Sequence, residues 1–125
     1  MAIYDVTDLE VYRKGLESLK LVYKLSHQIP ENHQRLRTQI INSAESIPPL
    51  IAEGFAKRSS VKEFKRFLNM AMGSSDETIT HVREIIILAD TFKRVDKNLC
   101  GQVESEYKII SKQLNSLIKK WVSYR

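Results

Sequence analysis

The chain has 125 residues, of which 42% are apolar and 28% are charged, and it contains only four glycines and three prolines. This composition excludes collagen-like, low-complexity and disordered classes, and the length fits a single domain over residues 1–125. The longest apolar run, residues 85–89, is far shorter than the roughly 20 residues that cross a bilayer, so no membrane contact is predicted. With one cysteine and no recognisable secretion signal, we expect a cytoplasmic protein.

The first predicted helix covers residues 8–27. Its apolar side chains recur at steps of three and four residues, the spacing of one stripe along a helix. The stripe expected to face the core is Leu9, Tyr12, Leu16, Leu19 and Tyr23. Thr7 or Asp8 is expected to cap the first turn, because a short side-chain oxygen accepts hydrogen bonds from the free amides there.

The second predicted helix covers residues 31–57 and contains Pro48 and Pro49 near its middle. Two prolines inside a helix remove two amide donors, so the helix is predicted to be kinked or broken at this point. Ser46 is expected to cap a restarted helix, with Pro48 tolerated in its first turn.

The third predicted helix covers residues 60–92 and begins with Ser60 and Glu63, the pair of a capping box. Its core stripe runs from Phe64 to Phe92 at steps of three and four. Small side chains occupy its middle, and Gly73 among them costs roughly 1 kcal/mol in a helix. A close approach by a neighbouring helix is therefore expected there.

The fourth predicted helix covers residues 97–122, with Asp96 or Asn98 as its cap. Each of the four segments is joined to the next by a few residues, and short connections favour antiparallel neighbours. The predicted fold is therefore an all-α, antiparallel, up-down-up-down four-helix bundle.

The sequence carries more apolar side chains than one such bundle needs. Ile85, Ile86, Ile87 and Leu88 surround the third helix, and a helix that is apolar all round is buried on more than one side. A second apolar set in the first helix is Val11, Leu21, Val22 and Leu25. We predict a homo-oligomer with residues 85–88 at its interface; the alternative is scattered apolar groups on a monomer.

The sequence lacks the common motifs for catalysis and metal binding. It has no glycine-rich phosphate loop, no His-Glu-x-x-His and no Cys-x-x-Cys. None of the three histidines has an acid three residues upstream, the spacing that di-iron bundles use. We therefore predict no catalytic residue, no metal and no cofactor.

The remaining polar candidates have ordinary interpretations. Glu53, Glu77 and Glu84 could meet inside a bundle, but surface or ion-paired carboxylates are more common. Cys100 near a helix start could be an activated thiol, yet no base neighbours it in the sequence, so we interpret it as a packed cysteine.

Positive charge is concentrated in one stretch of the chain. The formal charge is +5, and residues 57–66 alone hold five cations and one acid, a net +4. The five cations are Lys57, Arg58, Lys62, Lys65 and Arg66. Cations at a helix start oppose the helix dipole, so local stability does not explain them. Binding of nucleic-acid phosphates would explain these cations. The alternative is that they only form a solvated helix face. A weaker cluster is Lys119, Lys120 and Arg125.

Two segments are similar to a known family. They are Ser-Ile-Pro-Pro-Leu-Ile-Ala-Glu-Gly at 46–54 and Phe-Leu-Asn-Met-Ala-Met-Gly-Ser-Ser-Asp-Glu at 67–77. With Asp-Leu-Glu-Val-Tyr at 8–12, they make nearly the whole chain resemble the 23S ribosomal RNA intervening sequence proteins. Leu50 departs from the family pattern, which usually has Asn there.

This resemblance implies a four-helix protomer that assembles into a ring-like homopentamer. The chain also looks like the accessory variability determinant of diversity-generating retroelements, which implies binding to nucleic acid and to a nucleic-acid-processing protein. From the residues and the resemblance together, we predict a non-enzymatic oligomer that binds RNA or DNA through the five cations of residues 57–66. The alternative is a protein-interaction scaffold without direct nucleic-acid binding.

Overall fold

The computed structural model describes residues 2–122, and their regular structure is entirely helical. Five α-helices are present: α1 (Glu10–Ser26), α2 (Gln34–Glu45), α3 (Ile47–Ala56), α4 (Val61–Leu88) and α5 (Lys97–Lys120). Single 3-10 turns at Val6–Asp8 and Glu31–His33 precede α1 and α2.

The helices form an antiparallel four-helix bundle in which α2 and α3 together make one bent arm. α1 and α4 each pack against this arm and against α5, and within residues 2–122 α1 and α4 do not approach each other. Contacts between α4 and α5 run in opposite directions along the two helices, since Asp76 bonds Ser111 while Arg83 reaches back to Glu104. The predicted all-α, up-down-up-down bundle is confirmed.

The predicted kink in the second helix is present, and it lies at Ser46. α2 ends one residue before Ser46 and α3 begins one residue after it, so Pro48 falls in the first turn of α3, where amide donors are not needed. Ser46 does not cap α3 as predicted: its backbone is helical, and its hydroxyl donates to the Ser43 carbonyl at 2.8 Å. The amide of Leu50 still bonds the Ser46 carbonyl at 3.2 Å, so the helical hydrogen bonding continues across the bend. α3 therefore continues onward from α2 and does not reverse direction.

The core-facing stripe predicted for the first helix is right only in part. Leu9 is buried, and Tyr12 and Leu19 are partly buried against the core. Leu16 and Tyr23 are 46% and 39% exposed. The stripe that α1 buries is Val11, Gly15, Ser18, Val22 and Leu25. This stripe has the same three-and-four spacing, but two small residues interrupt it, and Gly15 lies close enough to the arm that an added Cβ would be 3.6 Å from Ile47.

The N-terminal caps predicted for α4 and α5 are confirmed, and the cap predicted for α1 is wrong. Asp96 caps α5, accepting from the Asn98 amide at 2.8 Å, and Ser60 accepts from the Glu63 amide at 3.2 Å at the start of α4. Neither Thr7 nor Asp8 caps α1; Asp5 instead caps the preceding 3-10 turn, and α1 begins after Leu9 without a side-chain cap.

Two glycines mark opposite situations on the α3–α4 side of the bundle. A Cβ added to Gly54 would lie 2.7 Å from the Cβ of Phe67, so α3 approaches α4 as closely as a glycine permits. Gly73, where a close neighbour was expected, is exposed, and an added Cβ would meet nothing within 4 Å. Of these two glycines, only Gly54 lies at a close helix contact. In the middle of α4 the expected close approach is made at Ser75, whose hydroxyl donates to the Tyr107 carbonyl of α5 at 3.0 Å.

These two positions provide a matched pair of glycine-to-alanine substitutions. Gly54→Ala is expected to lower the free energy of unfolding by about 1–3 kcal/mol, since the added methyl group meets a backbone-anchored atom that cannot move aside. Gly73→Ala is expected to raise it by up to about 1 kcal/mol through helix propensity. Urea denaturation followed by circular dichroism measures both. A larger loss for Gly73→Ala than for Gly54→Ala would contradict this packing.

Candidate nucleic-acid interface and assembly surfaces

The structure brings the five predicted cations together at one end of the bundle. α3 ends at Ala56, the chain turns, and α4 begins at Val61, so residues 57–66 occupy the turn and the start of α4. We call the surface formed by Lys57, Arg58, Lys62, Lys65 and Arg66 the basic surface. The positive end of the α4 dipole lies within it and adds to its field.

Two of these cations form ion pairs with acids one helical turn away. Arg66 holds Glu63 with two bonds, Nε to Oε2 at 3.1 Å and Nη2 to Oε1 at 3.3 Å. The Lys57 ammonium lies 3.4 Å from a Glu53 carboxylate oxygen. Hydrogen bonding from Arg66 lowers the pKa of the Glu63 carboxyl, so this acid remains ionised and continues to occupy the guanidinium at neutral pH.

Three of the cations also cover aromatic rings. Lys57 and Arg66 lie over the ring of Phe67, at 4.9 and 4.6 Å from its centroid. Arg58 lies 4.0 Å from the centre of the Phe55 ring. Such cation–π contacts tie the charged groups to the apolar layer beneath them.

Lys62 and Lys65 differ from the other three. Among the described residues, no carboxylate lies within ion-pair distance of either ammonium group. Lys62 is exposed and Lys65 is half-buried. These two charges are therefore open to an external anion.

The end of α5 lies beside the basic surface. Phe64 and Trp121 meet edge to face, with ring centroids 4.7 Å apart, which brings the last turn of α5 to the start of α4. Lys119 and Lys120 are exposed in that turn. The two cationic clusters of the sequence thus lie at the same end of the bundle, with Arg125 outside the described residues.

The interface predicted at residues 85–88 needs correction. Ile85 is fully buried in the core of its own chain, because it continues the stripe of Thr78 and Val82 that faces the other helices. Ile86 and Leu88 are partly buried against the same core, whereas Ile87 is 72% exposed. Of the four residues, Ile87 alone has most of its side chain on the protomer surface.

Sequence reasoning missed a second apolar surface, because it assigned the α1 side chains that line this surface to the core. An open groove between α1 and α3, which we call the apolar groove, is lined by Tyr12, Leu16, Leu19, Tyr23, Pro48, Pro49 and Ala52. Glu45 also lines it and accepts a hydrogen bond from the Tyr23 hydroxyl at 2.5 Å. The bend at Ser46 shapes one wall, since the two prolines follow it in the first turn of α3 and face α1, with Pro48 buried and Pro49 exposed.

Of the remaining polar candidates, His81, Glu77 and Glu84 lie apart from the basic surface, whereas Glu53 borders it. His81 contacts Glu84 at 2.7 Å and Glu77 at 3.3 Å on its own helix, and both carboxylates are largely exposed. Glu53 pairs with Lys57, so all three acids are surface groups with cationic or histidine partners, as predicted. In the part of the chain that the structure describes, no cluster of three or more His, Cys, Asp or Glu side chains could hold a metal ion.

Comparison with known families assigns the chain. The family model of the 23S rRNA-intervening sequence protein matches residues 7–116. The chain belongs to this family. A solved structure, a protein of unknown function from the S23 ribosomal protein family of Bacteroides thetaiotaomicron, aligns with a TM-score of 0.73 at 25% identity. The alignment covers 88% of this chain and 99% of the other. A comparison with curated proteins found no match.

In this member of the 23S rRNA-intervening sequence protein family, Cys100 is a packed residue. Its side chain is fully buried, and burial raises the pKa of its thiol, with the nearby Asp96 carboxylate acting in the same direction. None of the described helices has the length and apolar character required to span a bilayer.

Cys100 should consequently react slowly with thiol reagents. At pH 8 the native protein is expected to react with a disulfide reagent more than about tenfold more slowly than the protein unfolded in guanidinium, because less thiolate forms and access is blocked. Absorbance of the released thiolate measures both rates. Equal rates would show that Cys100 is accessible and would reopen its interpretation as a reactive thiol.

Proposed function

We propose that this protein is a non-enzymatic, cytoplasmic oligomer that binds the phosphates of RNA or DNA through the basic surface. The observation that carries the proposal is the gathering of five cations at one end of the bundle, two of them without an acidic partner among residues 2–122. Cations at the start of α4 cost a few tenths of a kcal/mol each against its dipole. A ligand that carries negative charge explains why the sequence keeps them there.

Two further observations support a nucleic-acid ligand. Lys119 and Lys120 extend the positive surface across the same end of the bundle. The family description refers to an intervening sequence of 23S rRNA, which agrees with an RNA ligand. Contacts of this kind depend on charge and are independent of base sequence.

Titration of fluorescently labelled RNA tests the binding. The native protein is expected to bind with a dissociation constant on the order of 10⁻⁴ to 10⁻⁶ M per patch at physiological salt, and more tightly if several patches reach one strand. A variant with Lys57, Arg58, Lys62 and Arg66 changed to Glu is expected to lose this binding, since attraction becomes repulsion.

A control variant carries the same change in net charge away from the basic surface. Its four exposed cations, also changed to Glu, are Lys20, Lys24, Arg35 and Lys93. The control should retain most of the RNA affinity. Equal affinity of the native protein and the first variant would remove the basic surface from consideration and would favour the alternative, a scaffold that binds protein partners in the apolar groove.

The second part of the proposal concerns self-assembly through two different apolar surfaces. The apolar groove lies on α1 and α3, whereas Ile87 lies on the outer surface of α4, the helix that does not contact α1. Gly73 and Thr80 precede Ile87 at steps of seven residues and leave a shallow track on that surface. Two unlike surfaces on different parts of a protomer make a head-to-tail contact, which closes into a ring when the rotation permits. The family resemblance suggests five copies.

Two charged substitutions test this arrangement. Leu16→Glu in the groove and Ile87→Glu on α4 are each expected to yield monomers, because each places a charge in an apolar contact. An equal mixture is expected to form a heterodimer and nothing larger, since each variant keeps the surface that the other has lost. Light scattering measures the masses. Two variants that stay monomeric when mixed would contradict a head-to-tail contact, and a monomeric native protein would contradict assembly altogether.

A further inference from the structure

We infer that Lys62 and Lys65 form the phosphate-contacting pair of the basic surface, and that their ligand is the backbone of a double-stranded nucleic acid, bound without base stacking. This inference rests on the proposed function and adds the ligand class and a division of roles among the five cations.

The division of roles follows from what each cation would have to give up. Arg66 would lose its two bonds to Glu63 and its place over Phe67, and Lys57 would lose Glu53 and the same ring. Arg58 is bound to the Phe55 ring and donates to the Phe55 carbonyl at 3.0 Å, at the end of α3. These three hold the turn between the helices in place.

Lys62 and Lys65 lose no ion pair within the described residues when they meet a phosphate. They lie three residues apart in the first turns of α4, so their side chains are neighbours on one helix surface. The pair therefore presents two adjacent positive charges on a rigid element.

The ligand class follows from the state of the aromatic rings. Proteins that hold single strands use exposed rings as stacking platforms, each worth about 1–3 kcal/mol per base. Phe55 and Phe67 are each only 5% exposed and are covered by cations, and Phe64 is fully buried. Trp121 is half-buried: its ring packs edge to face against Phe64, and its indole nitrogen is buried.

Without stacking, the contact reduces to charge, and a duplex offers more charge per length than a single strand. Each neutralised phosphate changes the logarithmic salt dependence of binding by about 0.9 for a duplex and about 0.7 for a single strand. A surface that binds only phosphates therefore favours the duplex. Tyr4 is the exposed aromatic residue of the N-terminal segment, at 82%, and serves as the test for stacking.

The experiment measures the affinity of the full-length protein for a short duplex RNA over a range of salt concentrations. Lys62→Gln and Lys65→Gln are each expected to weaken binding by about three- to tenfold and to reduce the salt slope by about 0.9. Lys57→Gln, the matched neutralisation of a paired cation, is expected to change the slope clearly less. Circular dichroism verifies that each variant is folded.

Glu63→Gln is a variant for which the affinity is expected to change in the opposite direction. It frees Arg66 for the ligand and removes a negative charge from the surface, so it is expected to tighten duplex binding by about three- to tenfold. A gain in affinity with an unchanged circular dichroism spectrum is not explained by a loss of structure. Tyr4→Ala is expected to leave the affinity unchanged.

The same titrations with a single strand of equal length complete the test. Tighter binding to the duplex supports the inference. Tighter binding to the single strand, a loss of affinity in Tyr4→Ala, or equal slope changes for Lys57→Gln and Lys62→Gln would overturn it while leaving the proposed function intact. Binding to neither ligand would instead overturn the proposed function.

Discussion

The close approach of α3 to α4 at Gly54 is the constraint on which the rest of the structure depends. Because Gly54 has no side chain, Phe64 and Phe67 can pack directly against α3, and Phe64 in turn contacts Trp121 at the end of α5. This aromatic layer sets the distance between two helices and fixes the position of a third. It also forms the base on which the cations of the basic surface rest, so one packing contact organises both the core and the candidate site.

Much of the fold is predictable because the longest segment shows its core stripe openly. The stripe of α4 from Phe64 to Ile85 is buried as its spacing indicates. α1 is different: its buried stripe contains Gly15 and Ser18, which a search for apolar periodicity overlooks. In its more conspicuous stripe, Leu16 and Tyr23 lie on the surface. Small residues that permit close helix contact therefore conceal the core face in a sequence, and exposed apolar residues imitate it.

Some features of the candidate site are likewise readable in the sequence, and others are not. The run of charge at residues 57–66 is visible in the sequence, and so are the spacings that predict its internal pairs, three residues between Glu63 and Arg66 and four between Glu53 and Lys57. What the sequence does not reveal is the tertiary neighbourhood. The contact of Lys57 with Phe67, and the arrival of α5 beside the start of α4, arise from packing between distant segments.

The bend at Ser46 also has a kinetic meaning. α2 and α3 contain 12 and 10 residues, at or below the length at which isolated helices are marginally stable in water. Each half of the arm therefore owes its helical state to contacts with α1 and α4, whereas α4 is a continuous helix of 28 residues. Amide hydrogens of the arm should exchange with solvent sooner than those of α4, in one local opening event. Such an opening would unfold one wall of the apolar groove and, at the same time, the end of α3 that positions Lys57. The apolar groove and the basic surface would then be coupled, because both depend on the same unit of local unfolding.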